Sequence, residues 1–496
     1  MTAPSPAVAT RPRSRERSGP TRETLIAGTV VGLGALLLCW SRLSFLDTSL
    51  WHDEANTVLY FVDRGPSTIL FGEYATNNHV LFSLLSWATT WQLGRFEAAY
   101  RIWSVIPGLV AVAVVGWWAW RRLGQLTGAA VVILLTISPL HLELVPQARG
   151  YGLGFLVSAG LLIGAARACD DGRVSDVIVM GAFGFVGIWT LSQMVLPFLA
   201  TAAVVFVARR ELRRAVVVVT AAVGAASVLV YSPLLTQMVE QSHKDPAGTA
   251  PLPWYGWATA PVDDLGQPTL AMFLPDRLTA GDGLDIVLGV VCVVLAGLGA
   301  WRLARRGEWA LMALLLAPVL GTYVLLVAAR VWFIPRFGSF LLVQVVVLFA
   351  IGILELWELI SSRGLVPRML AITTATALVL VGATNVVDRA RQLPTENFKL
   401  ASQIVRESGI DNVVTNSRSA AGLWHYLGRQ RVSVREPEAL SRQFCRSRDP
   451  LVFIDHNYSS TPDPSFACLE RRGAVRIHVP QEGRGSMDIW ILTQSR

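Results

Sequence analysis

The chain has 496 residues, of which 53% are hydrophobic and only 16% are charged, and its formal net charge is +8 at pH 7. The length alone is compatible with a large soluble protein, but apolar runs as long as a membrane-crossing helix recur along most of the chain, which excludes that class. The positive charge does not indicate nucleic acid, because the arginines lie in short clusters between these runs rather than on one face.

The first segment, residues 1–23, is polar and carries arginines at positions 11, 13, 15 and 17. This composition predicts a disordered tail. The apolar run that follows is too long for a signal peptide, and no small-residue cleavage site comes after it. We therefore expect a retained first span with a cytoplasmic tail before it.

The apolar runs predict an all-α polytopic membrane protein, because each is long enough to cross about 30 Å of hydrocarbon as a helix. The basic clusters between them fix the orientation, since arginine-rich short loops prefer the cytoplasm. This places the N-terminus inside and the C-terminus outside. About eleven spans are predicted within residues 24–392, at 24–45, 99–120, 126–144, 151–169, 174–190, 192–208, 214–233, 284–302, 309–328, 338–358 and 369–387.

One segment conflicts with a simple count of apolar runs. HVLFSLLSWATTWQLG, residues 79–94, is nearly long enough to span, but a crossing there places Arg121, Arg122 and most later basic clusters outside. We interpret it as a helix that lies in the outer membrane interface, inside a long outer loop at 46–98. A crossing at 79–94 is the alternative.

The last hundred residues, 393–496, differ from the rest because charges return and the apolar runs become short. Strand-like runs (NVVTN, PLVFIDH, AVRIHV and DIWILT) alternate with helical ones (FKLASQIVRES and SAAGLWHYLG). This pattern predicts a small extracytoplasmic α/β domain. Cys445 and Cys468 lie in it, and an oxidising compartment permits a disulfide bond between them.

Polar side chains that are costly near a membrane collect on the outer side of this topology. They are His52, Asp53, Glu54, Glu73, Asn77, Asn78, His79, His141, Glu143, Gln147, Arg149, Tyr151, Arg330 and Arg336. A carboxylate held near the interface suits a general base toward a hydroxyl group. The planar fork of arginine suits a phosphate. Together they predict a site for a lipid-linked sugar.

Five motifs in order carry a resemblance to a known family. LWHDEA, NNHVLFSLLSW, YRIWSVIPGL, SPLHLELVPQARGYGL and PRFGSFLL, spread over roughly residues 24–350, resemble the bacterial branch of the membrane glycosyltransferases with the GT-C fold. The closest likeness is to the family 39 type, which is related to the protein O-mannosyltransferases and to the lipid A aminoarabinose transferase. Each motif is weak alone, but their common order is fairly specific.

The resemblance implies that Asp53 is the catalytic base with Glu54 beside it, and that Arg149 and Arg336 hold the lipid phosphate. A structural role, in which Asp53 caps a helix or pairs with an arginine, is the alternative. Further substrate contacts are expected from His52, Asn78, His79, Gln147 and Tyr151.

The sequence departs from the family pattern in three places. NHVL stands where relatives often have HPPL, Gln147 stands where many have glutamate, and Phe337 stands where tyrosine is usual. These departures leave the sugar and the acceptor open.

Residues 234–283 form a long outer loop with two features of interest. Trp254, Tyr255 and Trp257 are able to stack on sugar rings, or else belong to the aromatic belt of the interface. Asp263 and Asp264 resemble a metal pair, but no further ligand stands at a suitable spacing. No cofactor is therefore expected, and a divalent metal is not indicated.

The expected function is an inverting glycosyltransferase of the bacterial inner membrane. It moves mannose or arabinofuranose from a polyprenyl-phosphate donor to a hydroxyl group of a glycan, lipid or protein acceptor, with membrane lipids as partners and no nucleic acid. A transporter or flippase of lipid-linked sugars is one alternative, but it predicts charges or broken helices near mid-bilayer. A membrane-anchored assembly protein is the other, and it leaves the HDE, QARGY and IPR segments without a role.

Overall fold

The computed structural model describes residues 22–75, 77–242, 282–329, 335–391, 396–434, 450–457, 471–480 and 486–493. Several predictions lie outside these ranges. They concern residues 1–21, the Trp254–Trp257 stretch, the Asp263 and Asp264 pair, Arg330, and the disulfide between Cys445 and Cys468.

The described part of the chain is mainly helical. The helices are α1 (Arg22–Leu43), α2 (His52–Tyr60), α3 (Pro66–Phe71), α4 (Val80–Leu93), α5 (Glu97–Leu123), α6 (Gln125–Ile137), α7 (Pro139–Leu144), α8 (Tyr151–Asp171), α9 (Val174–Thr190), α10 (Val195–Ala208), α11 (Arg213–Tyr231), α12 (Leu235–Ser242), α13 (Asp282–Arg305), α14 (Trp309–Ala329), α15 (Leu342–Ser361), α16 (Leu365–Arg391), α17 (Phe398–Ser408) and α18 (Ser417–Leu427). Short 3-10 helices lie at Val62–Arg64, Ser192–Met194, Arg210–Leu212 and Pro335–Leu341.

Membrane-spanning candidates are frequent among these helices. In the described part of the chain, six are long and apolar enough to cross a bilayer: Thr24–Leu43, Glu97–Leu123, Tyr151–Asp171, Arg210–Tyr231, Gly338–Ser361 and Leu365–Arg391. Shorter apolar helices lie at Gln125–Ile137, Val174–Thr190, Ser192–Ala208 and Trp309–Thr322. The chain is therefore a polytopic helical membrane protein. Helical structure is present at each predicted span, while the number of crossings stays a prediction.

The segment predicted to lie in the interface forms α4, a helix of 14 residues. At 1.5 Å per residue it is about 21 Å long, which is shorter than the hydrocarbon core. It packs against α3, α5 and α9. Because α6 and α10 are no longer than α4, its length does not distinguish the two interpretations, and the interfacial position stays a prediction.

The predicted span 126–144 is wrong in one respect, because the helix breaks at Ser138 into α6 and α7. Pro139 has no N–H group to donate to the carbonyl of Leu135, so the ladder of α6 stops there. Arg42 of α1 supplies a donor instead, because its Nη2 lies 3.4 Å from the carbonyl oxygen of Leu135 and 3.0 Å from that of Thr136. The same nitrogen lies 2.9 Å from Nδ1 of His141 in α7.

The centre of the helical part is α8, in which 16 of the 21 residues are buried. It packs against α5, α9, α10 and α15. Small residues make this close packing possible, as is common between membrane helices. At Gly152 a β-carbon would lie 1.8 Å from the carbonyl oxygen of Ser104 in α5, so only glycine fits.

The described residues between 396 and 493, called the C-terminal unit below, form a five-stranded sheet and two helices. The strands are β1 (Val413–Thr415), β2 (Val432–Val434), β3 (Leu451–Asn457), β4 (Val475–Val479) and β5 (Ser486–Leu492), in the order β2-β1-β3-β5-β4. β1 runs parallel to β2 and β3, whereas β5 is antiparallel to β3 and β4. The four predicted strands are confirmed, and β2 was not predicted. Helix α18 packs against α2, and this contact joins the unit to the membrane part.

Candidate active site

The acid pair that follows the first span begins helix α2, where Asp53 and Glu54 lie in the first turn. Carboxylates are favourable there because the N-terminal end of a helix carries a partial positive charge. Consecutive residues on a helix point about 100° apart, so the two carboxylates face different surroundings. Each meets its own arginine.

Asp53 forms an ion pair with Arg149, from the segment between α7 and α8. Oδ2 of Asp53 accepts from Nη1 of Arg149 at 2.9 Å; the arginine side chain is 0% exposed and that of Asp53 is 14% exposed. Nη2 of Arg149 donates to Oδ1 of Asn77 at 2.8 Å and lies 3.4 Å from Nε2 of His79. The guanidinium also lies over the ring of Tyr151, 5.0 Å from its centre. Three separate segments of the chain therefore meet at this guanidinium.

The backbone around Arg149 is fixed by His79. The N–H group of Gly150 donates to Nδ1 of His79 at 2.9 Å. A neutral His79 therefore carries its proton on Nε2. A β-carbon at position 150 would lie 2.8 Å from both Nδ1 of His79 and a methyl group of Thr190, so glycine is required for this approach. The ring of His79 meets that of Tyr151 edge-on, with centres 5.3 Å apart.

Glu54 forms a second, deeply buried ion pair with Arg101 of α5. Nε and Nη2 of Arg101 donate to the two oxygens of Glu54 at 2.9 and 2.8 Å, and both side chains are at most 3% exposed. The backbone N–H groups of Trp51 and Ala148 donate to the same carboxylate, at 3.1 and 2.5 Å. Four donors occupy this carboxylate, so it joins three chain segments rather than facing a substrate.

Arg101 also holds the link between α1 and α2. Its Nη1 donates to the carbonyl oxygens of Phe45, Leu46 and Thr48 at 2.7, 3.1 and 2.7 Å, and its Nη2 donates to that of Ser49 at 3.0 Å. The Glu54 and Arg101 pair thereby fixes the approach to α2 as well as its first turn.

The other predicted contacts divide into two groups. Asn78 is engaged inside the protein, where its Nδ2 donates to the carbonyl oxygen of Ile69 at 2.9 Å and its Oδ1 accepts from Ser83 at 3.2 Å. The neighbouring Asn77, rather than Asn78, reaches Arg149. Gln147 is buried, and its Oε1 has no hydrogen-bond partner in the described part of the chain.

His52 and Arg336 are the two remaining predicted contacts. Nε2 of His52 lies 3.0 Å from Nδ2 of Asn56, and the backbone N–H group of His52 donates to the carboxylate of Glu396. Arg336 belongs to the 3-10 helix Pro335–Leu341, which packs against α7 and α8. Its side chain lies outside the described part of the structure.

The sequence predictions did not include Arg101 and Glu396 among the site residues, although both bind α2. A lone arginine in the first turns of an apolar helix is costly and therefore signals a buried partner, and YRIW at the start of α5 has that pattern. For Glu396 the sequence offers no comparable signal. Among the described residues, no group of three or more His, Cys, Asp or Glu side chains is arranged to hold a metal ion.

No protein-family model matches the chain, and no curated protein does either. Solved structures do match it. ArnT from Cupriavidus metallidurans in the apo state aligns with a TM-score of 0.52 at 13% identity, over 94% of this chain and 98% of that one. ArnT bound to undecaprenyl phosphate aligns over the same shares with a TM-score of 0.54 at 12% identity.

A further match is the Archaeoglobus fulgidus oligosaccharyltransferase in complex with Zn and sulfate. Its TM-score is 0.52 at 12% identity, over 86% of this chain and 67% of that one. All of these proteins are GT-C fold glycosyltransferases. At such low identity the likeness concerns the fold, and it agrees with the expectation from the motifs. The chain therefore has the GT-C fold of membrane glycosyltransferases.

Proposed function

We propose that the protein is an inverting glycosyltransferase that takes a sugar from a polyprenyl-phosphate donor and transfers it to a hydroxyl group of an acceptor. The observation that carries the proposal is the contact between Asp53 and the buried Arg149. A carboxylate at the start of a helix, 14% exposed and oriented by a guanidinium, is suited to accept a proton from a hydroxyl group. The GT-C fold and the binding of undecaprenyl phosphate by ArnT support the donor class.

In the proposed step, Asp53 accepts the proton of the acceptor hydroxyl while that oxygen attacks the anomeric carbon. The bond between this carbon and the phosphate oxygen breaks, and the polyprenyl phosphate leaves with the bonding electrons. A retaining mechanism needs a second carboxylate as nucleophile. Glu54, the nearest candidate, is occupied by four donors. This favours a single displacement with inversion.

Arg149 has a double role in this proposal. It orients Asp53, and its positive charge lies beside the position where negative charge develops on the leaving phosphate. Its Nη1 and Nη2 donate to Asp53 and Asn77, whereas its buried Nε has no hydrogen-bond partner in the described part of the chain and is the donor left for a phosphate oxygen. Arg336 is proposed as the second phosphate ligand, because its 3-10 helix packs against α7 and α8 on either side of the segment that carries Arg149.

The other proposed substrate contacts are His52, His79, Gln147 and Tyr151. The unpartnered Oε1 of Gln147 suits a sugar hydroxyl, since a buried acceptor without a donor is costly. Mannose and arabinofuranose are the proposed sugars, and a glycan, a lipid or a protein is the proposed acceptor. The proposed location is the bacterial inner membrane, with the site and the C-terminal unit on the outer side.

The test is an assay of the purified protein with a panel of polyprenyl-phosphate sugars. Asp53→Asn is expected to lower the transfer rate at least about 100-fold, the lower range for general base catalysis, while donor binding is retained. Asp47→Asn is the matched control, because Asp47 is an exposed acid of the same loop. It is expected to retain the wild-type rate.

Two results would contradict the proposal. One is an Asp53→Asn variant that transfers sugar as fast as the wild type. The other is a wild-type protein that transfers no sugar from any donor but moves a lipid-linked sugar across a vesicle membrane, which would identify a flippase.

A further inference from the structure

The start of helix α2 is completed by residues from the C-terminal unit. The backbone N–H group of Leu50 donates to the hydroxyl oxygen of Tyr426 at 3.0 Å. The N–H group of His52, the first residue of α2, donates to the carboxylate of Glu396. The first N–H groups of a helix have no partner inside the helix, and the N–H group of the buried Leu50, two residues before it, also needs an acceptor. Here two of the three successive donors at 50–52 find acceptors more than 340 positions away.

Glu396 and Tyr426 are well suited to accept hydrogen bonds at the start of α2. Glu396 is 1% exposed, and a carboxylate at the N-terminal end of a helix also interacts favourably with the helix dipole. Tyr426 donates its own hydroxyl to Oε1 of Glu97 at 3.2 Å, which is the first residue of α5. The tyrosine therefore joins the start of α2 to the start of α5.

Side-chain packing supports the same contact. Ala421 of α18 belongs to the apolar cluster beneath α2, which also contains Leu50, Ala55 and Val58, all at most 3% exposed. Nζ of Lys399 in α17 lies 3.0 Å from Oε1 of Glu97. The contact is therefore a packed interface with polar groups at its edge, rather than two isolated hydrogen bonds.

Asp53 lies in the first turn of α2, which this contact holds together with the Glu54 and Arg101 pair. Asp53 follows His52 directly, whereas its partner Arg149 is held by a different segment through His79 and Asn77. A change at the start of α2 therefore moves the carboxylate but leaves the guanidinium in place. The two are 2.9 Å apart, and a misplacement of about 1 Å is enough to lower an enzymatic rate roughly 100-fold.

We propose that the C-terminal unit is part of the catalytic machinery, and that Tyr426 and Glu396 are positioning residues that fix α2 and thereby Asp53. The catalytic part of this inference rests on the proposed function. The structural part, the dependence of α2 on the two acceptors, does not.

The experiment compares Tyr426→Phe, Glu396→Ala and Glu396→Gln with the wild-type full-length protein. Thr415→Val is the matched control, since it removes one buried hydrogen bond of the same unit, from Thr415 Oγ1 to the carbonyl oxygen of Ile454 at 2.9 Å, away from α2. Two quantities are measured: hydrogen exchange of the amides in residues 49–60, and kcat and KM of sugar transfer.

Loss of one acceptor is expected to speed exchange in 49–60 about fivefold, with exchange in 80–93 unchanged. It is expected to lower kcat about tenfold to 100-fold while KM for the donor stays within about twofold. Glu396→Gln keeps an acceptor oxygen and is expected to recover most of both losses. Thr415→Val is expected to behave as the wild type does in 49–60.

Unchanged exchange in 49–60 for both Tyr426→Phe and Glu396→Ala would overturn the inference, whatever the activity. Faster exchange with an unchanged kcat would overturn it too, because α2 would then be loosened without effect on the reaction. A wild-type protein that is inactive with every donor contradicts the proposed function instead. The exchange measurement then still decides whether α2 depends on the C-terminal unit.

Discussion

Removal of either partner of the buried ion pair between Glu54 and Arg101 is expected to destabilise the protein by about 3–5 kcal/mol. The two side chains are 2% and 3% exposed and share two hydrogen bonds of 2.9 and 2.8 Å. Glu54→Gln leaves a buried guanidinium without a counter-charge. Arg101→Met leaves a buried carboxylate, and it also removes the donors to the carbonyl oxygens at 45–49.

The double variant Glu54→Gln with Arg101→Met contains no unpaired charge, so its loss is expected to be smaller than the sum of the single losses by about 2–3 kcal/mol. The assay is equilibrium unfolding in mixed detergent micelles, followed by tryptophan fluorescence. The same three variants of the exposed pair Arg431 and Asp411, whose side chains are 57% and 83% exposed and whose Nε and Oδ1 atoms are 3.7 Å apart, provide the comparison. Its coupling is expected to be about 0.2–1 kcal/mol.

This reasoning is refuted if the stability losses of Glu54→Gln and Arg101→Met simply add in the double variant, because neither charge would then depend on the other. A coupling no larger than that of the exposed pair would refute it as well. Destabilisation of Arg101→Met alone, without a loss in Glu54→Gln, would assign the effect to the carbonyl contacts at 45–49 instead of to the ion pair.

Three further predictions concern packing, pH and topology. Gly152→Ala is expected to cost at least about 2 kcal/mol in unfolding free energy, because its β-carbon collides with Ser104, whereas Gly224→Ala has open space and is expected to be tolerated. Burial lowers the pKa of His425 below its ordinary 6.5 despite nearby carboxylates, so the folded state disfavours the protonated ring. The melting temperature is therefore expected to fall as the pH drops below 6.5, and to fall less in His425→Asn. A cysteine introduced at exposed Gln92 in a cysteine-free background is expected to react with an impermeant thiol reagent only from outside; reaction from the cytoplasmic side would contradict the interfacial position of α4.

Much of the helical architecture was predictable from sequence because lipid imposes simple requirements. Apolar runs between arginine clusters have to be helices, and a helix lies at each of them. The break at Ser138 was missed, although a serine before a proline is a common start of a new helix. The residues on both sides of Ser138 are apolar, so the average composition of the run does not show that the helix ends there. β2 was missed because three residues are too few to show an alternating pattern.

The candidate site was predictable in its residue types and less so in its pairings. The sequence predicts both Asp53 and Arg149 as site residues, and the structure brings them into contact. The sequence does not predict Arg101 as the partner of Glu54, because the two residues are 47 positions apart and no pattern relates them. Asn77 and Asn78 are adjacent and identical in type, so only the backbone conformation decides which of them faces Arg149.

The sequence distance between α2 and its acceptors has a bearing on biosynthesis. Glu396 and Tyr426 are translated 344 and 376 positions after the amides that they accept from. A nascent chain that ends before residue 396 already contains all the apolar helices described above, yet its first loop lacks these acceptors. The apolar helices are therefore synthesised before the residues that complete the start of α2.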